Sequence, residues 1–591
     1  MCSFFVSRRN SVYSRRQTDV HWEETVVTKP WEKYYSDEAK AFDPGQIEHK
    51  TLAAFIAHNT GRFADRKAVT TILPTGAEAS LTYAELDAQT DAFAAYLREE
   101  LGLQAGDTVA VMSPNCIAFC VVSLGIAKAG CIGTNVNPLY TASEFEHQLT
   151  DSKAKAVVVI DLFGNKVDEV IAKTSVQHVV TVSVLDFFPP LKKAILGFVL
   201  KRIRKVIPTM STPHTRLVDA LANGSRHLTG RDISAYSTAV GADHTALYQY
   251  TSGTTGRSKG AELSHIAIIA NMEQARLMTS GALDEDGETV LVALPLYHIT
   301  AFVLIFLSGM RLGGHLVLAP SPRPPSNLKK AFENHQITWF TGINTLFAAL
   351  MVEPWFDKKL FEKIKFCGSG GAAQQTGVAQ KWTDHTGVDI MQGYGMTEVS
   401  GLLTFNPHSN NQLGKVGIPI PGADVRIVDD AGRDVAQGEP GEVIARTPSQ
   451  MKGYLDNAKA TDEVLKDGWY YSGDIGVMDA DGFIEIVDRK KDMILVSGFN
   501  VAPNEIEDVI STLPEVVQVG VIGIADEKTG EAPVAFVVRA DESLSEEAIV
   551  AACRDKLTNY KLPKQVRFVD DVPVTLSGKV LRRELRESAG L

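Results

Sequence analysis

Between about residue 50 and residue 400 the chain alternates short apolar runs with longer stretches in which apolar residues recur every three to four positions. The runs "DTVAVMSPN", "AKAVVVIDL", "HLVLAP" and "ITWFTGI" predict buried strands, being short and ending at turn residues. The stretches "TYAELDAQTDAFAAYLREEL" and "SHIAIIANMEQARLM" predict helices. Alternation of this kind predicts an α/β fold of layered, largely parallel sheets. From about 410 to 487 the pattern changes to short strands, "ADVRIVDD", "GEVIART" and "GFIEIVD", separated by Gly and Asp turns. That predicts a small β-rich subdomain. A polar break, "DRKKD" at Asp488–Asp492, follows. Residues 488–591 then read as a separate α+β domain of ordinary size. In it "SLSEEAIVAACRDKL" predicts a helix with Ser545 as N-cap, Glu546 and Glu547 in the first turn, and Leu544 stapled to Ile549. The expected organisation is an N-terminal tail (1–47), a large domain (48–487) and a smaller C-terminal domain (488–591).

Two uncharged runs, Thr108–Ala127 and Val290–Met310, approach the length of a membrane span. "SPN" breaks the first and "PLYH" the second, so both are expected to be buried strand–loop–helix segments. The apolar run in "MCSFFVSRRN" is too short for a signal peptide, and its charges follow rather than precede it. The basic, acid-free stretch to Gln17 shares that composition with organelle transit peptides; an unstructured tail is the simpler expectation. The 591 residues carry a net charge of −12, which repels nucleic acid and argues against a general nucleic-acid binder. Six scattered cysteines show no CxxC pair and read as free thiols of a reducing cytoplasm. One segment departs from the acidic background: "LKKAILGFVLKRIRKVIP", Leu191–Pro208, has six basic residues and no acid. On a regular helical wheel its charges gather on one side, except that Lys192 and Arg202 intrude on the apolar side. It reads either as a peripheral membrane contact or as a solvated helix packed on the large domain.

The densest chemistry lies in "YTSGTTGRSKGAELSH", Tyr250–His265. Glycines let backbone approach an anion, and N–H groups and hydroxyls can then wrap phosphate oxygens. A solvated turn would have the same composition. A Walker loop needs Gly directly before Lys and Ser or Thr after it. Here Ser258 precedes Lys259 and Gly260 follows, so an ATPase of that class is disfavoured.

Four further segments occur in order: "QGYGMTE" (Gln392–Glu398), "YSGDIG" (Tyr471–Gly476), "DRKKDMILVSGFNVAPNEIE" (Asp488–Glu507) and "LSGKVLRREL" (Leu576–Leu585). With the Tyr250–His265 loop they resemble the adenylate-forming superfamily of acyl-CoA synthetases, luciferases and peptide-synthetase adenylation domains. The resemblance covers nearly all of the chain past residue 50. "VNPLYTASEFEHQL", "LPLYHITAF", "TGINTLF" and "DMILVSGFNVAPNEIEDV" are, more narrowly, similar to bacterial long-chain-fatty-acid–CoA ligases.

That resemblance implies ATP-dependent conversion of a fatty acid to acyl-AMP and then to acyl-CoA, with ATP, Mg2+ and coenzyme A taking part. It implies that Thr251, Ser252, Gly253, Thr254, Thr255, Gly256 and Lys259 cover the phosphates. Ser258 stands where many relatives carry Pro. Tyr394 would stack on adenine beside Gly370, Gly371, Ala372, Gly393 and Gly395; Thr397 would bind phosphate and Glu398 hold magnesium. Asp474, with Arg489 nearby, would take the ribose hydroxyls. Lys579 would be the catalytic cation of the first half-reaction, Asp488 the hinge, and Ser497, Gly498 and Phe499 the coenzyme A loop. His298 and Phe302 would line the mouth of an acyl tunnel. Val574 stands where relatives often have a basic residue. The expected setting is cytoplasmic, with or without peripheral membrane contact, and a homodimer is compatible with it.

Rival readings are a fatty-acid–AMP ligase, another acyl- or aryl-CoA synthetase, a luciferase-like oxidase, and a catalytically dead lipid-binding protein. Retention of Glu398, Asp474 and Lys579 argues against the last. "LGGHL" at Leu312–Leu316 resembles a carrier-protein motif, but Leu316 replaces the serine that motif needs.

Overall fold

The structure is a computed structural model that describes residues 29–251, 257–285, 287–575, 578–588 and 590. The predicted alternation becomes two large sheets. In one, parallel strands Ile390–Tyr394, Phe366–Ser369, Trp339–Gly342, Thr289–Val292, His315–Leu318 and Lys67–Ile72 lie side by side in that order. The other is built around Thr108–Met112, Ile132–Asn135, Ala156–Ile160 and His178–Val182, also parallel. Helix Ile117–Lys128, buried almost throughout, touches strands of both sheets. This explains the first uncharged run: a buried strand, a turn and a helix covered on both sides. The second run is likewise strand Thr289–Val292 followed by helical segment Thr300–Leu307. No helix among the described residues is long and apolar enough to cross a membrane.

Helix Tyr83–Ala95 starts at a capping box, with Thr82 and Glu85 each accepting from the other's backbone N–H. Strands Asp424–Val428, Gly441–Arg446, Trp469–Met478 and Ile484–Arg489 form the expected antiparallel β subdomain.

The C-terminal domain has its own sheet and its own apolar core around Ile506, Ile510, Val519, Val521 and Val537. Its helix Glu546–Lys556 is capped as predicted: Ser545 accepts from Ala548 N–H, and Leu544 and Ile549 share the core. The chain crosses between the domains after Arg489, because Asp488 and Arg489 are still paired in the β subdomain, opposite Ile475 and Asp474. A cleft of about 1200 Å³ separates the two bodies. Its walls carry Tyr394, Asp474 and Arg489 on one side and Asn504, Lys579 and Arg582 on the other.

Candidate active site

Strands Trp339–Gly342, Phe366–Ser369 and Ile390–Tyr394 run parallel in register, with Gly342 beside Ser369 and Ser369 beside Gln392. Ligands of parallel sheets bind beyond the carboxyl ends of the strands. Glycines occupy that place here: Gly370 and Gly371 follow one strand, and Gly393 and Gly395 flank Tyr394 at the end of the next. Gly395 is required sterically, since a Cβ there would lie 1.9 Å from the carbonyl oxygen of Gly401. Gly371 and Ala372 face the cleft.

Asp474 is 5% exposed and already held from two sides. The Tyr394 hydroxyl donates to its Oδ2 at 2.6 Å, and Arg489 Nε lies 3.1 Å from its Oδ1. Burial, and then the Asp474 charge, raise the pKa of the Tyr394 hydroxyl well above its ordinary value, so it stays a donor. A carboxylate fixed by a ring hydroxyl and a guanidinium is a preorganised acceptor for vicinal hydroxyls.

Lys579 enters the same cleft from the C-terminal domain. Its backbone N–H donates to Thr575 Oγ1 at 3.0 Å, Thr575 N–H donates back to the Lys579 carbonyl, and Val574 bridges Val580. These bonds hold the lysine near the tip of a tight hairpin. Gly578 has φ +82° and a Cβ there would meet Ile343 Cδ1 at 2.7 Å, so glycine lets the hairpin seat against the large domain. Burial and the nearby Arg489 push the Lys579 ammonium down to about 8, against the attraction of Asp474 and Asp492.

Thr251 and Lys259, predicted to cover phosphate, sit opposite each other across antiparallel strands Thr245–Thr251 and Lys259–Ser264. The loop therefore closes a hairpin, whereas a Walker loop joins a strand to a helix. Ser252, Gly253, Thr254, Thr255 and Gly256 lie outside the described residues. Lys259 Nζ lies 4.9 Å above the Tyr454 ring, and the Tyr454 hydroxyl donates to Glu398 Oε1 at 2.7 Å. Thr397 and Glu398 begin the short 3-10 turn Thr397–Val399, so Tyr454 connects the loop to Glu398. Sequence reasoning missed Tyr454. It carries no motif, and it reaches the site only because the chain around it bridges Ala261. Among the described residues no group of three or more His, Cys, Asp or Glu gathers as a metal cage. One buried carboxylate beside the Thr251–Lys259 hairpin fits magnesium, which takes most of its ligands from nucleotide phosphates and water.

A narrow cavity of about 60 Å³ leads away from Gly370, Gly371 and Gly395. Trp339 and Phe366 also line it, and they begin the strands that end at Gly342 and Ser369. The cavity thus follows the strands back for roughly 10 Å. The two rings meet edge to face, 5.8 Å between centroids. His298 and Phe302, expected at the mouth, do not line it; Thr300, Leu304 and Ile305 of the same segment do. Phe302 is buried on the other face, against Phe119 and Phe306. His298 is partly exposed, yet surrounding protein pushes its pKa down to about 4, so the ring is neutral at pH 7.

Asp488 is not a solvated linker residue. It is 2% exposed, accepts from Arg489 N–H at 2.7 Å and Asn504 N–H at 3.1 Å, and lies 3.7 Å from Arg582. Ser497 and Gly498 form the turn between strands Ile494–Val496 and Phe499–Val501; with Phe499 they are exposed and outside the cleft, and the Phe499 ring stacks on Tyr560 at 4.7 Å.

Residues 56–455 match the family model of the AMP-binding enzyme, and residues 505–579 that of the AMP-binding enzyme C-terminal domain. The chain belongs to the AMP-binding enzyme family. It is 41% identical over 565 residues to the long-chain-fatty-acid–CoA ligase of Salmonella typhimurium, covering 95% of this chain and 99% of that one. It is 42% identical over 563 residues to the ligase of the same name from Yersinia pestis, with 95% and 98% covered. The anthranilate CoA ligase AuaEII, solved with anthranoyl-AMP, superposes with a TM-score of 0.81 over 93% of this chain and 99% of that one; at 23% identity it speaks for the fold alone. In this AMP-binding enzyme the first matched segment holds Tyr394 and Glu398, and the second ends at Lys579.

Proposed function

We propose that this AMP-binding enzyme is a long-chain-fatty-acid–CoA ligase working in two half-reactions in the cleft. In the first, a fatty-acid carboxylate oxygen bonds to the α-phosphorus of ATP and the bond to the bridging oxygen breaks, releasing pyrophosphate and leaving acyl-AMP. The carboxylate is already ionised at neutral pH, so the step needs alignment and charge neutralisation rather than a general base. Tyr394 and the glycines beside it would seat adenine, Asp474 the ribose, and the Thr251–Lys259 hairpin the outer phosphates. Lys579 would lie against the reacting carboxylate and α-phosphate. Magnesium, held at Glu398, would neutralise phosphate charge. The acyl chain would enter the cavity leading to Trp339 and Phe366.

In the second half-reaction the coenzyme A thiolate attacks the acyl carbon, the bond to the phosphate oxygen breaks, and AMP leaves. The Ser497–Phe499 turn would serve this step after the C-terminal domain rotates about the segment at Asp488. The domains are proposed as a large adenylating unit that ends with strand Ile484–Arg489 and a mobile unit that follows it. The setting is proposed as cytoplasmic, with a peripheral membrane contact through 191–208.

The observation that carries this reading is the meeting of Lys579 with Asp474 and Arg489 in one cleft, across two domains, at the head of an apolar cavity. Separation of labelled nucleotides after incubation with ATP and a long-chain fatty acid tests it. AMP and pyrophosphate should form, with acyl-CoA only when coenzyme A is added. ADP as the main product, or acyl-AMP that never reaches coenzyme A, would overturn it.

A further inference from the structure

The hairpin that carries Thr251 and Lys259 is fastened from outside by one helix, Ala142–Asp151. That helix is itself fixed to the sheet. Thr141 and Glu144 close a capping box at its start, and Phe145 and Leu149 lie in an apolar core. The buried Gln148 donates to Thr134 Oγ1 at 2.8 Å and to the Asn135 carbonyl at 3.0 Å. His147 and Asp151 are an i, i+4 pair and so share one side of the helix. Each reaches a different strand of the hairpin.

His147 Nε2 lies 2.8 Å from the Ser258 carbonyl oxygen. A carbonyl oxygen only accepts, so this nitrogen carries a proton and donates. The same peptide unit contains the Lys259 N–H, so the imidazole fixes the plane from which Lys259 departs. On the other strand, Asp151 Oδ2 accepts from the Tyr250 hydroxyl at 2.6 Å. The Tyr250 ring passes over Gly260, where a Cβ would meet Tyr250 Cζ at 3.0 Å. The His147 and Tyr250 rings meet edge to face, 6.3 Å between centroids. One anchored helix thus holds both strands at the end where Thr251 faces Lys259.

We propose that His147 is a positioning residue for the outer phosphates of ATP, with Asp151 as its counterpart on the other strand. The two act by holding Ser258 and Tyr250, so that Thr251 and Lys259 keep the spacing that receives phosphate. Such a clamp sets how well ATP is bound and leaves the reacting carboxylate and α-phosphate alone. The inference rests on the reading of this hairpin as part of an ATP site.

Steady-state kinetics and limited proteolysis of the full chain test it together. His147→Ala should raise KM for ATP about fivefold, the effect of one lost neutral hydrogen bond. Its kcat and its KM for the fatty acid should match the parent, as expected when ground state and transition state lose the same contact. His147→Gln, whose amide N–H can stand in for Nε2–H, should restore most of the ATP KM. Tyr250→Phe deletes the bond to Asp151 but keeps the ring, and should act like His147→Ala. Trypsin cleavage after the exposed Arg257, followed without nucleotide by mass spectrometry, should be about fivefold faster in His147→Ala and return to the parental rate in His147→Gln. AMP formation with a parental KM for ATP in His147→Ala would overturn the inference alone. Faster cleavage in a protein that forms no AMP would overturn it together with the ATP reading. Equal losses in His147→Ala and His147→Gln, with a lowered Tm in both, would reduce the histidine to a fold-stabilising one.

Discussion

Arg582 lies 3.7 Å from Asp488, a buried cation of the C-terminal domain against a buried carboxylate of the large domain, three residues beyond Lys579. Arg582 also pairs with Glu507 of its own domain at 3.0 Å. The Asp488 contact therefore ties the placement of Lys579 to the crossing between the domains.

Asp488→Ala removes this tie while leaving Arg582 paired with Glu507. Acyl-AMP formation should fall roughly tenfold, the order expected for losing a charge-assisted contact, while transfer from supplied acyl-AMP to coenzyme A is kept. Arg582→Ala should act differently. It leaves Glu507 buried without its cation, costing about 3–5 kcal/mol of stability, and Glu507→Gln added to it should recover part of that loss in Tm. Equal loss of both half-reactions in Asp488→Ala would reduce the contact to a fold-stabilising one.

Lys579 is proposed as the cation of the first half-reaction, and its pKa is lowered to about 8, first by burial and then by Arg489. The ammonium is charged below that value and neutral above it. Adenylation kcat/KM should therefore be full below pH 8 and decline as pH rises through about 8. Lys579→Arg stays charged and should lose that alkaline limb, whatever its remaining rate. Lys579→Ala should lower adenylation by roughly 10²–10³ without affecting thioester formation from supplied acyl-AMP. A pH profile of adenylation that Lys579→Arg leaves unaltered would assign the limb to another group.

Trp339 and Phe366 line the proposed acyl cavity, at the strand ends far from Gly342 and Ser369. Trp339→Ala should shift relative kcat/KM toward longer chains, about tenfold for each pair of substrates that the indole separates, in line with the roughly 1–3 kcal/mol that one methylene is worth in an apolar pocket. The truncation should also cost about 3–5 kcal/mol of stability. Competition between fatty acids of different length, read as acyl-CoA products, checks it. Unchanged preference would mean the chain takes another path.

Much of this architecture was legible in the chain because its signals are local. Capping at Thr82 and Ser545, the turns of the β subdomain and the motifs around Tyr394, Asp474 and Lys579 all lie in short contiguous stretches. The missed features depend on long-range geometry or on missing phase. Tyr454 meets Glu398 across 56 residues of chain. Segment Thr300–Leu307 is apolar at nearly every position, so no polar face shows that Thr300 and Leu304 look into the cavity while Phe302 looks away. Asp488 stands in a run of charges, yet the Ile475 pairing and the Asn504 and Arg582 contacts bury it. The wide turn at Val199–Ile203, which reorders the basic helix, leaves no mark on a regular wheel.

If this arrangement is the adenylating one, the C-terminal domain must move before coenzyme A can react. Thr376 N–H of the large domain donates to Asp508 Oδ1 of the C-terminal domain at 3.1 Å. Cysteines placed there, by Thr376→Cys and Asp508→Cys in a Cys2→Ser background, can be joined by mild oxidation, since Cys116, Cys120, Cys131, Cys367 and Cys553 are buried. Single-turnover measurement of both half-reactions, oxidised and then reduced, is the most direct test. The oxidised enzyme should form acyl-AMP and fail to pass it to coenzyme A, and reduction should restore transfer. Full acyl-CoA formation by the cross-linked enzyme would contradict the account.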